Sequence, residues 1–507
     1  MTDKKIDSYT VLADNVPATV EIWEKEDETV PIYKITMPEI AKATEALLEE
    51  IRDELAKKVP VEIEDVTDAK KIEVLKKRFF LDAKKIISRH LVENNREKDK
   101  EDSINIMAGI TLHRMFGLGF IDVIMADNLL EELAINGSKQ PISVYHKKHG
   151  WCKTTTILRS EEEVYNLSSQ IGRKVGREIN SLHPIMDAHL LSGDRVASTL
   201  FPISTAGNTI TIRRFARNPW TITQLIESKS MSKEIAAFLW LAIHYELNLL
   251  VAGGTASGKT STLSALSGLT PPNQRVLSIE DTREISLPEE LHWNWVPMNT
   301  RNPNPEGQGE VTMLDLMVSS LRMRPDRIIV GEVRRKQQAE TMFEAMHTGH
   351  SVYTTIHADT VEQVKRRLTE PPIEIPRSEI ESLHLVLVQF RDRRKGIRRS
   401  LELAEVLTGG KEDLETNYLY RWIPRTDSFE KANGSVRVFE ELNLHVGMTP
   451  KEIEKDLSER EDILEWMLKN KIKDISEVGK ILKAYYKDKQ RLLRLVSKDE
   501  SPDSLLS

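Results

Sequence analysis

Eight residues, Gly253-Gly254-Thr255-Ala256-Ser257-Gly258-Lys259-Thr260, constrain this chain more than any other stretch. An apolar run, LNLLVAGG, leads into them and a helix-forming run, STLSALSGL, follows. A buried strand, a glycine-rich turn and a helix in that order form the P-loop pattern. Gly253 and Gly258 allow backbone angles that turn amide N–H groups toward one point. The helix adds its positive end. Gly254, Thr255, Ala256, Ser257 and Ser261 complete the cradle. Lys259 is placed to reach the β- and γ-phosphates of ATP, and the Thr260 hydroxyl to bind Mg²⁺.

The rest of the chain must accommodate that unit. Its 507 residues are too many for one core and predict two to four domains. Apolar residues at 39% and charged residues at 30% suit a globular protein. Abundant Lys and Glu beside one cysteine suit a thermophilic source. The net charge of -7 offers no global basic field for nucleic acid. Cys152 is the only cysteine, which fits a reducing cytoplasm and excludes a four-cysteine zinc site within one chain. The N-terminus MTDKKIDSYTVLADNVP lacks the apolar core of a signal peptide. The most apolar stretch, 236–253, is interrupted by His244, Glu246 and Asn248, so it is not a membrane span.

Along the chain, residues 1 to about 35 read as short extended pieces. Helices are expected from Pro38 to about Lys58, with Ile40, Thr44, Leu47, Leu48, Ile51 and Leu55 on one face, and from about Asp68 to Asn94. NNREKDKEDS (94–103) reads as an exposed loop or boundary. Residues 104–217 read as a mixed α/β unit, with turns at Asn136-Gly137 and Gly150 and strands in GDRVASTLFPIS and NTITIRRFA. Residues 218–232, starting at Asn218-Pro219, are a candidate linker. Helices and strands then alternate to about residue 410, which predicts a doubly wound, mostly parallel sheet. After the polar loop TGGKEDLETN the remainder reads as helical, with a capping-box start at Thr449-Pro450-Lys451-Glu452.

Three further blocks carry chemistry. RVLSIEDTREISLP is a strand ending in Glu280, Asp281 and Glu284, at the edge where open α/β sheets bind ligands. Glu280 and Asp281 could hold magnesium, partly through water, and Glu280 or Glu284 could orient the attacking water. DRIIVGEVRR buries Ile328-Ile329-Val330 and delivers Glu332 just beyond, a reasonable general base for phosphoryl transfer. TGHSVYTTIHAD carries His350 and His357 around a strand, where a histidine could sense the γ-phosphate.

These four blocks, in this order, resemble the secretion ATPase superfamily, which serves type II secretion, type IV pili, the archaellum and conjugation-type export. They look like its Walker A, Asp box, Walker B variant and His box, and LLSGDRVAS with ITIRRF looks like its N-domain. The resemblance covers roughly residues 105–410. It implies a RecA-like ATPase domain over 233–507, with a helical C-terminal part, and a PAS-like α/β N-domain over 104–217. Residues 1–103 would then be an extra, helical N-terminal segment with a partner-binding or regulatory role. It implies a homo-hexamer with ATP between the two domains, N-domain arginines near the phosphates, and a polytopic membrane platform protein as partner. Arg195, Arg213, Arg214 and Arg217 occupy the matching segments. It places the protein in the cytoplasm, peripheral to the membrane. The absent zinc insert, the reading IEDT and the long segment before residue 104 resemble the archaeal branch, whose members serve pili, secretion or the archaellum. A nucleic-acid motor would need a basic channel, and RRKGIRR (393–399) reads instead as a solvated hairpin turn. A non-catalytic scaffold would need defective blocks, and none is defective.

Overall fold

The computed structural model describes residues 3–38, 42–58, 69–93, 101–190, 192–214, 219–303, 307–409 and 414–506. They form two compact units, one up to Arg214 and the other from Pro219. Each has its own nine-stranded sheet among the described residues.

The first unit contains β1 (Lys4–Ala13), β2 (Val16–Glu24), β3 (Ile32–Thr36), β4 (Leu130–Asn136), β5 (Pro141–His146), β6 (Gly150–Ile157), β7 (Ile185–His189), β8 (Arg195–Thr199) and β9 (Thr209–Arg213). Their order is β1-β2-β3-β6-β5-β4-β9-β8-β7. Every pairing is antiparallel except β3 with β6. The extended N-terminal pieces are therefore part of the same sheet as the α/β unit that follows them. Alternation explains the buried face: Val20, Ile22, Leu133, Val144, Val196 and Ile212 are almost wholly excluded from solvent. The amphipathic helix Glu161–Lys174 buries Val164 and Ile171 in the same core.

Helices Lys42–Lys58, Ala69–Glu93 and Glu101–Phe116 pack around Leu48, Ile51, Leu55, Phe79, Ile87 and Leu112. Leu48, Ile51 and Leu55 are on the predicted face. Ile40 lies outside the described residues. The expected loop 94–103 is corrected at its end, because Glu101 already opens a helix with two acids, Glu101 and Asp102, at its positive end.

The second unit contains β10 (Leu249–Gly253), β11 (Val276–Glu280), β12 (Trp295–Asn299), β13 (Arg327–Val330), β14 (Ser351–Ile356), β15 (Leu385–Asp392), β16 (Ile397–Val406), β17 (Thr416–Ile423) and β18 (Ser428–Lys431). The order is β12-β11-β13-β14-β10-β15-β16-β17-β18. β12 to β15 are parallel, and β16 to β18 extend the sheet antiparallel. β14 separates β10 from β13, the RecA-like order. The parallel strands β10, β11, β13 and β14 are buried along their whole length, as covering helices require.

Two sequence expectations need correction here. Residues 218–232 are not simply a linker. Thr221 and Gln224 form a capping box for the helix Ile222–Glu227, whose Ile222 and Leu225 join the second unit's core. The region after residue 410 is not helical throughout, because β17 and β18 precede the helices; Leu419 and Trp422 of β17 are buried. The helix Pro450–Lys469 does start at the predicted capping box, with Glu452 Oε2 accepting the Thr449 N–H at 2.8 Å. It packs through Ile463 and Met467 on the helix Lys233–His244.

Candidate functional site

The site forms at the carboxyl edge of the parallel strands, where several chain reversals meet. β10 ends at Gly253, with φ +153°, and the loop passes through Ala256 at φ +59° and Gly258 at φ +94°. A Cβ at Gly253 would fall 2.4 Å from Gln389 O and from Ser257 Oγ, and one at Gly254 would fall 2.8 Å from Asp359 Oδ1. Only a residue without a side chain fits at 253. The N–H groups of Thr255, Ala256, Gly258 and Lys259 meet no acceptor among the described residues. The helix Lys259–Ser267 begins at once and adds its N-terminal N–H groups. This donor set, all N–H and ammonium around a cradle that a Cβ would fill, fits a polyphosphate.

Lys259 donates from Nζ to Gly254 O at 3.0 Å. Burial lowers its pKa, while Glu332, Glu284 and Asp359 act on the ammonium in the opposite sense. Those three carboxylates lie near enough to act on its charge. Glu332 follows β13 by two residues and is half-buried. Its Oε2 accepts two hydrogen bonds from Arg334, and Arg334 also reaches Asp281.

Glu280 behaves differently from its neighbour. It is buried at the end of β11, and its Oε1 accepts the N–H groups of Glu284 at 2.8 Å and Ile285 at 3.0 Å. Burial pushes its pKa up to about 7. It braces the turn that carries Glu284. Asp281, half-exposed beside it, is the better placed acid for a cation.

The structure brings His357 to the loop and leaves His350 away from it. His357 Nε2 lies 3.1 Å from Thr255 Oγ1, and Arg367 donates to its carbonyl oxygen. Burial, then Lys259, lowers the His357 pKa, which favours the neutral ring. His350 precedes β14, so the whole strand separates it from His357, roughly 20 Å at the usual rise per residue. Its Nδ1 sits against Thr348 Oγ1 and Ala345 O at the opposite edge of the sheet.

Arg398 was hidden from sequence reasoning by its place in the basic turn RRKGIRR. It stands on β16 and donates from Nε to Ala256 O at 3.1 Å, against the crest of the phosphate loop. Asp359, beside Gly254, was likewise unassigned. Its signal was its place just past β14, between that strand and the helix Val361–Thr369.

The N-domain arginines belong to the first unit and are described within it. Arg195 forms a fork with Asp187 across β8 and β7, donating from Nε at 2.9 Å. Arg213 is exposed at the end of β9, opposite Arg195 on β8 and Glu132 on β4. Arg214 serves the backbone of its own unit, donating to Asp127 O, to Leu130 O at 3.4 Å and to Asn128 Oδ1 at 3.2 Å. Arg217 lies outside the described residues.

The family described as type II/IV secretion system protein matches residues 192–393, a span that holds all four chemical blocks. The archaeal protein MJ0900 of Methanocaldococcus jannaschii is 35% identical over 380 residues, covering 73% of this chain and 68% of its own. The type IV secretion system protein PtlH of Bordetella pertussis is 28% identical over 288 residues, covering 50% of this chain and 84% of its own. The solved structure of the ATPase DotB from Legionella pneumophila is similar at 18% identity and a TM-score of 0.43, over 76% of this chain and 96% of DotB. On the archaeal match, which runs through both units, and on the family's own segment, this chain belongs to the type II/IV secretion system protein family.

Proposed function

We propose that this chain is a mechanochemical ATPase, hydrolysing ATP to ADP and phosphate to drive assembly of an extracellular filament, archaeal pilus or archaellum, or protein secretion. The observation that carries the reading is the glycine-built phosphate cradle, with Lys259 bonded to Gly254 and His357 to Thr255 within it, at the strand edge where β13 delivers Glu332. Lys259 and the loop N–H groups bind the phosphates. Glu332 takes the proton of the attacking water. His357 and Thr255, hydrogen-bonded together, contact the terminal phosphate and register its loss. Magnesium, when bound, would neutralise charge on the phosphates, and Thr260 with Asp281 are the residues that would hold it. Glu284 orients water from the brace that Glu280 provides.

In this reading the chain works as a homo-hexamer against a polytopic membrane platform protein, at the cytoplasmic face of the membrane. Arg195, Arg213 and Arg217 would supply charge to the nucleotide, and residues 1–103 would engage a partner or regulate the ring. No helix of the described residues is long and apolar enough to cross a membrane, so the proposal requires a docking partner. A second reading, conjugation-type export, is favoured by the likeness to relatives described as putative conjugal transfer proteins of Mycobacterium tuberculosis, 31% identical over 227 residues.

Glu332→Gln tests the chemistry. It keeps size and shape but removes the base, so ATP should bind with near wild-type affinity while turnover falls by about 10² to 10⁴. Turnover at the wild-type rate would overturn the assignment. Deletion of the gene in its source, followed by electron microscopy of surface filaments, tests the role: loss of a filament, restored by the wild-type gene and not by the Glu332→Gln gene, supports it.

A further inference from the structure

The geometry points to Arg334 as the residue that positions Glu332 for hydrolysis. This rests on the reading of Glu332 as the hydrolytic carboxylate. Arg334 Nε and Nη2 both donate to Glu332 Oε2, at 2.9 and 2.7 Å. Its third nitrogen, Nη1, donates to Asp281 Oδ2 at 3.2 Å. One guanidinium thus ties the end of β13 to the end of β11. Glu332 Oε1 has no hydrogen-bond partner among the described residues, so the fork fixes the carboxylate through one oxygen and leaves the other to accept a proton from water.

Arg334 is itself anchored. Its backbone N–H donates to Gln338 Oε1 at 2.9 Å, and the Arg335 N–H donates to the same oxygen at 3.1 Å. Those bonds cap the helix Lys336–His347, whose Ala339, Met342 and Phe343 are fully buried. The guanidinium therefore projects from a fixed backbone position. A single exposed ion pair would mean little. Two N–H groups on one oxygen, with a second carboxylate on the third nitrogen, define a direction as well as an attraction. The other task open to such an arginine is direct contact with the nucleotide. That task would require it to leave Glu332, and it would show as weaker ATP binding.

The test uses the full chain and four proteins: wild type, Arg334→Ala, Arg334→Lys and Glu332→Gln, with steady-state kcat and KM for Mg·ATP. Arg334→Ala should lower kcat by about 10- to 100-fold, the cost of a misplaced catalytic group, with KM changed by less than about threefold. Arg334→Lys should recover little, because one ammonium cannot make the fork. Millimolar guanidinium should restore part of the turnover of Arg334→Ala and none of Glu332→Gln; a purely structural role would show no such rescue. If Glu332→Gln is inactive while Arg334→Ala keeps wild-type kcat, or loses only KM, the positioning role is wrong and the reading of Glu332 stands. If Glu332→Gln turns over normally, both fall. Should Arg334→Ala fail to fold, Arg334→Gln, which keeps two N–H donors, carries the same comparison.

Discussion

Arg398 holds Ala256: the arginine Nε–H meets the alanine carbonyl oxygen at 3.1 Å, and its Cδ would lie 3.3 Å from a Cβ on Gly258. A side chain from the β15–β16 hairpin is thus laid across a loop that contains a non-glycine residue at positive φ. That backbone state costs of order 1–3 kcal/mol and persists only where neighbours impose it. Arg398→Ala is expected to loosen the loop, raising KM for ATP by about tenfold while kcat changes little. A fluorescent ATP analogue, titrated against both proteins, measures the binding directly.

Gly253→Ala should be far more damaging. The new methyl would have to displace Gln389 O and Ser257 Oγ, both 2.4 Å away, and backbone atoms cannot yield that far. Loss of ATP binding is expected, with the melting transition of the second unit lowered by several degrees, as for other severe core and backbone substitutions. Thermal unfolding with and without Mg·ATP reads both effects.

The two histidines should separate cleanly. His357→Ala removes the partner of Thr255 Oγ1 and is expected to reduce ATPase turnover by about tenfold or more. His350→Ala, at the far edge of β14, should leave turnover within about twofold of wild type. Parallel steady-state assays decide between them; equal effects would mean that strand position is not what matters.

Glu280 predicts a pH dependence of stability. Its folded pKa, about 7, lies above the ordinary glutamate value of 4.5, so the folded state binds the extra proton between those values. Stability from this group is therefore greatest below pH 4.5 and is lost as pH rises toward 7. The difference corresponds to about 3 kcal/mol. Glu280→Gln keeps an oxygen for the Glu284 and Ile285 N–H groups but never ionises. Its melting temperature should exceed that of wild type at pH 8 and converge with it near pH 5. An unchanged gap across that range would argue against a buried, ionising Glu280.

Much of the site was legible because its parts are local. The P-loop, the acids after β11 and the glutamate after β13 each follow a short apolar run, and strand ends on one edge of a parallel sheet converge without further information. Arg398 was not legible, because its role depends on a hairpin folding back on a loop some 140 residues earlier in the chain. His350 was over-read: six strand residues between the two histidines already imply opposite edges. The helix Ile222–Glu227 was concealed by Asn218-Pro219, although Thr221 and Gln224 carry its capping signal. β17 and β18 were lost behind a polar loop. Trp422 of β17 is buried and Tyr420 half-buried, Tyr420 packing against Phe238 on a distant helix. The N-terminal strands were seen as strands, but their union with β6 was not, since a parallel pair between residues 32–33 and 153–154 leaves no local trace.

That union has a practical consequence. Because β3 lies against β6, a protein begun at residue 104 to isolate the α/β unit would leave β6 an uncovered edge strand, unpaired where β3 now meets Lys153 and Thr154. Biochemists trimming this chain for crystals or for ring reconstitution should keep the first three strands, or expect sticky, self-associating material whose behaviour says nothing about the motor.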